Sequence, residues 1–206
     1  MKKQLVMGLV GLGLFLAGCT EKPSDTTLSS TNNQTSTQLS SSTQAELIES
    51  SSATENVVLN ARTITGVSGN TYSLDLPDDW QEVEDFESLN PDNDFMLSDP
   101  LQTTFLAAVA EPKEDFADLD TYLGLVQENL SASFDTDATF LPVPDTTIHM
   151  VDFPATVEGL NIHYLYYVME TDNNFVQLYG WTLESAFEES KAELTSIMNS
   201  FQEVSQ

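Results

Sequence analysis

Ile162-His163-Tyr164-Leu165-Tyr166-Tyr167-Val168-Met169 decides the fold, because both of its alternating side-chain sets are mostly apolar. Successive side chains of a strand point to opposite sides of the sheet, so a strand apolar on both sides must be covered on both. This predicts a central strand with helices above and below it. Turn residues follow in Thr171-Asp172-Asn173-Asn174, then a second extended run from Phe175 to Trp181. The pair reads as a hairpin.

Beyond the hairpin, Leu183, Phe187, Leu194, Ile197, Met198 and Phe201 share one helical face from about Glu184 to Ser200. Glu184, Glu188 and Glu189 stand near its N-terminus, where the helix dipole favours negative charge. On the N-terminal side, Thr146-Thr147-Ile148-His149-Met150-Val151 and Ala155-Thr156-Val157 read as strands. Asp118 is a predicted N-cap ahead of Leu119, Tyr122, Leu123, Val126 and Leu130, whose spacing makes an amphipathic helix ending near Phe134. Asp94-Phe95-Met96-Leu97 and the run Thr103 to Ala110 form a predicted hairpin about Ser98-Asp99-Pro100. Val57-Val58-Leu59 and Thr63-Ile64-Thr65 lead to the turn Val67-Ser68-Gly69-Asn70. The alternating strand Thr71 to Leu76 follows, and Pro77-Asp78-Asp79 ends it before Trp80. The order of elements predicts an α+β domain over residues 56–206, an antiparallel β-sheet with helices on both faces. With 206 residues, 40% of them hydrophobic, the chain suits one such domain.

The segment ahead of it has a different character. Met1-Lys2-Lys3 is a short basic start, Leu5 to Leu16 is an apolar run, and Leu16-Ala17-Gly18-Cys19 resembles a lipobox. The expectation is a lipoprotein signal peptide over residues 1–18, cleavage after Gly18, and acylation of Cys19, with an ordinary signal peptide or an uncleaved anchor helix as alternatives. Cys19 is the single cysteine, so a lipidated chain has no disulfide and no thiol chemistry left. Two or more acyl chains make an anchor effectively permanent, where one holds only marginally. Residues 19–55 continue as a Ser/Thr-rich run that buries too little apolar surface to order itself, and so read as a flexible tether. About 35 such residues reach roughly 33 Å on average and near 120 Å when stretched. The expected location is the outer face of a cytoplasmic membrane.

Charge narrows the partners. The chain has six Lys and Arg against 33 Asp and Glu, a formal net charge of -27. Removing the signal peptide leaves Lys22, Arg62, Lys113 and Lys191 against the same acids. A surface this anionic repels nucleic acid and attracts basic patches, so the expected partner is a cationic protein or peptide.

Three stretches, Tyr72-Ser73-Leu74-Asp75-Leu76-Pro77-Asp78-Asp79-Trp80, Phe153-Pro154-Ala155 and Met198-Asn199-Ser200-Phe201, resemble the PsbP-like family. That family is an α/β/α fold named for an extrinsic photosystem protein and found in many bacterial lipoproteins. The resemblance covers about residues 62–204. It implies a fold and a binding or assembly role, and brings no active-site motif with it.

The residues themselves show no catalytic constellation. Gly66-Val67-Ser68-Gly69 lacks the spacing of a hydrolase elbow and reads as a turn. His149 and His163 would make a metal site only if neighbouring strands brought them together beside an Asp. Asp92-Asn93-Asp94 opens like a calcium loop but lacks its Gly and its closing Glu, so an Asp/Asn turn is favoured. Tyr164, Tyr166, Tyr167, Phe175, Tyr179 and Trp181 read as core more readily than as a ligand cleft. No catalytic residue, metal or cofactor is expected, and the chain reads as a non-enzymatic binding or assembly module. The alternatives are an envelope hydrolase using acids such as Asp92, Asp94 or Asp152, and release of a signalling peptide resembling Gly11-Leu12-Gly13-Leu14-Phe15-Leu16-Ala17-Gly18.

Overall fold

The structure is a computed structural model and describes residues 58–204; the expected signal peptide, its cleavage at Gly18, Cys19 and the linker lie outside the described residues. The elements run β1 (Leu59–Thr65), β2 (Thr71–Pro77), β3 (Gln81–Glu82), β4 (Phe95–Ser98), β5 (Thr104–Pro112), α1 (Leu119–Phe134), β6 (Leu141–Pro142), β7 (His149–Val157), β8 (Leu160–Glu170), β9 (Asn174–Leu183), α2 (Phe187–Asn199) and β10 (Gln202–Glu203). Seven strands form the main antiparallel sheet in the order β3-β4-β5-β9-β8-β7-β6, and β1-β2-β10 form a smaller one.

The two-sided apolar strand is β8, and it lies next to β9 inside the main sheet. Leu165, Tyr167 and Met169 of β8 join Val176 and Leu178 of β9 and Leu106 and Ala108 of β5 on one face. Helix α2 covers this face with Phe187, Leu194, Ile197 and Met198, and the small sheet adds Tyr72, Leu74 and Leu76. Tyr164, Tyr166 and Val168 point the other way, with Phe175, Gln177, Tyr179 and Trp181 of β9 in register beside them. On that face α1 buries Tyr122, Val126 and Leu130. Each fully buried side chain of this size contributes roughly 1.5–3 kcal/mol by leaving water, which is why both layers are needed.

Local signals set the element ends. Asp118 caps α1 by accepting a 2.8 Å hydrogen bond from the Thr121 N–H, and its carboxyl pKa is lowered by the Thr121 side chain first and by this N–H second. Helix α1 stops where Asp135 turns left-handed at φ 50°. The β7–β8 turn is Glu158-Gly159, with φ of 51° and 84°, the backbone of a tight hairpin in which glycine adopts positive φ without strain.

Three sequence expectations change in detail. Residues 149–151 and 155–157, read in two separate strands, are parts of one strand, His149–Val157, that runs through Pro154, while residues 146–148 precede it outside the strand. Proline is tolerated there because β6 pairs only with His149 and Met150, so Pro154 has no ladder on its outer side. Leu59 of the first extended segment and Thr63-Ile64-Thr65 of the second likewise belong to the single strand β1, while Val57 lies outside the described residues. The β1–β2 hairpin builds the small sheet instead of leading into the main one, because its apolar residues are needed over the α2 face.

Gly180 of β9 sets how closely α2 approaches. A Cβ there would lie 2.8 Å from Leu194 Cδ2 and 3.1 Å from the Phe105 carbonyl oxygen. Gly180→Ala is therefore expected to cost about 1–3 kcal/mol through overpacking, read as a lower urea midpoint at unchanged slope.

Candidate functional site

The α1 face carries a buried polar network at its centre. Tyr122 Oη donates to Glu111 Oε2 at 2.8 Å, and Gln177 Nε2 donates to Tyr122 Oη at 2.9 Å. Tyr166 Oη donates to Gln177 Oε1, and the Tyr166 and Tyr179 rings stack at 5.0 Å. Tyr179 Oη donates to Asn93 Oδ1 and accepts from Asn90 Nδ2 at 3.3 Å. Alternation on β5, β8 and β9 places Glu111, Tyr166, Gln177 and Tyr179 on one side, and α1 and the loop at residues 90–93 close over them.

Burial shapes the ionisation of this network. It pushes Tyr179 up to about 12 and Tyr122 and Tyr166 well above the ordinary phenol value, so all three remain neutral donors. Burial also raises the Glu111 carboxyl, with Asp92 and Asp115 adding repulsion, while hydrogen bonds from Tyr122 and Gln177 pull it partly back. Among the described residues Glu111 comes nearest to a general acid. Its Oε2, however, already receives Tyr122 and Gln177. Sequence reading passed over Glu111 because nothing along the chain marks it; its partners are 11 and 66 residues away.

Two of the weak motifs meet in one place. Asp94 is buried at 3% exposure and accepts hydrogen bonds from Ser68 N–H and Ser68 Oγ, both at 2.7 Å, and from Tyr72 Oη. The Gly66-Val67-Ser68-Gly69 turn thus wraps the last carboxylate of Asp92-Asn93-Asp94. A Cβ at Gly66 would sit 2.3 Å from the Asp94 Cγ, so the approach requires glycine. Asp94 binds the small sheet to β4 and accepts three hydrogen bonds while buried, a placement suited to holding structure rather than to proton transfer.

The histidines do not meet. His149 pairs with Val168 and His163 with Pro154, five positions apart in register, on the order of 17 Å, and on opposite faces. His163 lies under α2, its ring stacked on Phe187 at 3.6 Å and its Nδ1 2.8 Å from Glu184 Oε2. Asp152 Oδ1 is 3.8 Å from His163 Nε2, too long for a hydrogen bond, while Asp152 Oδ2 is held by Lys191 Nζ at 2.7 Å. The three carboxylates named for hydrolysis therefore do not converge: Asp92 is exposed in the loop at residues 90–93 beside the Glu111 network, Asp94 is sealed at the β1–β2 turn, and Asp152 is paired on the α2 face. Of the aromatic set, Tyr167 packs in the α2-side core, while the other five stand on the α1 side as a cross-strand ladder.

These features define an acidic, two-faced α+β sandwich. No model of a known protein family matches the chain, and no curated protein matches it. Among solved structures, the chain is similar to the solution structure of cyanobacterial PsbP (CyanoP) from Synechocystis sp. PCC 6803, at 13% identity and a TM-score of 0.42 over 76% of this chain and 99% of that one. It is also similar to LpqN of Mycobacterium tuberculosis, described as involved in cell envelope biogenesis, at 11% identity and a TM-score of 0.39 over 71% of this chain and 92% of that one. A third is PA94 of Pseudomonas aeruginosa, a protein of unknown function, at 10% identity and 0.41 over 68% of this chain and 94% of that one.

Two predictions arise from the buried carboxyls. Asp94→Ala strands the Tyr72 and Ser68 donors and is expected to cost about 3 kcal/mol or more in urea unfolding. Glu111 has a folded pKa above its unfolded value, so its contribution to stability is full below the unfolded pKa and is lost as pH rises through the folded one. Glu111→Gln keeps an acceptor for Tyr122 without the charge. The variant should gain stability relative to wild type at neutral pH, and that gain should vanish below the unfolded carboxylate pKa.

Proposed function

We propose that the chain is a lipid-anchored protein on the outer face of a cytoplasmic membrane, whose folded domain is a non-enzymatic binding or assembly module for a cationic protein or peptide. The observation that carries this reading is the fate of the basic residues. Arg62, Lys113 and Lys191 are the Lys and Arg side chains among the described residues, and each is engaged inside the domain. Arg62 donates to the Trp80 carbonyl, Lys113 pairs with Glu170 at 3.0 Å, and Lys191 pairs with Asp152 at 2.7 Å. The charged surface offered to a partner is then essentially all carboxylate, which speeds encounter with basic patches and repels anionic polymers.

The lipobox-like Leu16-Ala17-Gly18-Cys19 supports attachment through Cys19, which keeps the domain near the surface where such a partner is met. Metabolic labelling with an alkyne fatty acid should tag the wild-type protein and leave Cys19→Ser untagged. Crosslinking of the full chain in intact cells should retrieve a basic partner, with the yield falling as ionic strength rises from about 0.15 M to about 0.5 M. Recovery of unmodified monomer alone would count against the module.

A further inference from the structure

The apolar surface of the α1 face continues past the end of α1. The helix stops at Phe134, whose ring packs against Phe153 and Tyr164 at 5.6 and 5.1 Å. In the same register row, Trp181 stands beside Tyr164, and Phe105 stacks on Trp181 at 5.1 Å. One row further out Leu183 pairs with Ile162, and beyond it Leu160 pairs with Val157 at the β7–β8 turn. Leu183 is 42% exposed, and Leu101, at the tip of the adjacent β4–β5 turn, is 80% exposed. Phe105, Val157 and Leu160 are half-buried. Isolated exposed aliphatic residues are ordinary on protein surfaces, but here five apolar residues gather at one end of one sheet.

The charge around them has a single sign. Glu158 in the β7–β8 turn and Asp135 after α1 are exposed acids at this end, and Asp99 lies in the β4–β5 turn with Thr103 and Thr104 donating to it, while Glu184 turns to His163 on the α2 face. None of Arg62, Lys113 or Lys191 belongs to these turns, and Lys191 is held on the α2 face by Asp152. Apolar contacts with a carboxylate rim complement a segment that alternates aliphatic side chains with Lys or Arg, and disfavour an anionic one. A standard protein interface buries about 800 Å² on each side, more than five side chains supply, so the surface suits one short segment rather than a globular face.

We infer that this end of the α1 face is a docking surface for a cationic amphipathic segment of another protein. The inference rests on the binding-module reading and gives that module its contact surface. It is tested with the full-length lipidated protein in nanodiscs of neutral phosphatidylcholine, with empty discs as the blank. The probe is a fluorescent synthetic peptide of Leu and Lys patterned as an amphipathic helix.

Wild type should bind the peptide in a salt-sensitive manner, and Leu101→Ser/Leu183→Ser should weaken binding about tenfold or more through lost apolar contact. Leu101→Lys should weaken it as well, by repelling the probe. Val67 and Val204 provide the control, because they are exposed at 57% and 41% at the other end of the molecule. Val67→Ser/Val204→Ser should match wild type. Unchanged affinity in both Leu101 variants, with salt sensitivity kept, overturns the surface and leaves the charge reading standing. Failure of wild type to bind either this peptide or a Lys-only peptide overturns the charge reading itself. Sedimentation showing a wild-type dimer that becomes monomeric in Leu101→Ser/Leu183→Ser would assign the surface to a second copy of the chain and overturn the inference.

Discussion

Burial of β8 and β9 on both of their faces is the constraint from which the rest of the domain follows. A strand pair in the middle of a sheet with apolar residues up and down cannot be stabilised by a single layer. Helix α1 supplies one cover, and α2 with the β1–β2 hairpin supplies the other. The small sheet then has a reason to exist: one helix of 13 residues is too narrow to roof a seven-stranded sheet, and Tyr72, Leu74 and Leu76 fill what α2 leaves. The acidic surface is possible because stability rests on these layers and owes little to ion pairs, whose exposed examples are worth little in any case.

Polar groups inside the sandwich serve position more than chemistry. Asp94 fixes the β1–β2 turn to β4 through three donors, and the Glu111 network ties α1 and the loop at residues 90–93 to the sheet. Both Asp94 carboxylate oxygens and Glu111 Oε2 already accept hydrogen bonds from within the domain. A carboxylate whose lone pairs are already filled is held in place, and its removal is costly because the donors remain buried. The reading of this domain as a module stands on its own charge and surface.

Local pattern made most of the architecture legible. The two-sided apolar set of Ile162–Met169 announced both covering layers, the Asp118 cap and the spacing from Leu119 to Leu130 announced α1, and the turn Thr171–Asn174 announced the β8–β9 hairpin. Where the reading fell short, the deciding partner was distant in sequence. Pro154 looked like a strand break, yet it sits where β7 has no outer neighbour to hydrogen-bond. Ser68 and Asp94 belonged to two unrelated weak motifs, 26 positions apart, until the fold brought them together. His149 and His163 lie on strands as expected, and although those strands are neighbours the register, invisible in the sequence, keeps them apart. Glu111 carries no local mark, since only burial and Tyr122 distinguish it from the other acids.

The margins of the main sheet are as telling as its centre. Its outermost strands, β3 and β6, are two residues each, and β6 ends in a proline that has no N–H to donate. The stretch of β7 left uncovered beyond β6 holds Pro154, which also has no N–H to offer a neighbouring ladder. Where such molecules crowd together at high local density, the strong negative charge that each carries opposes edge-to-edge pairing between copies.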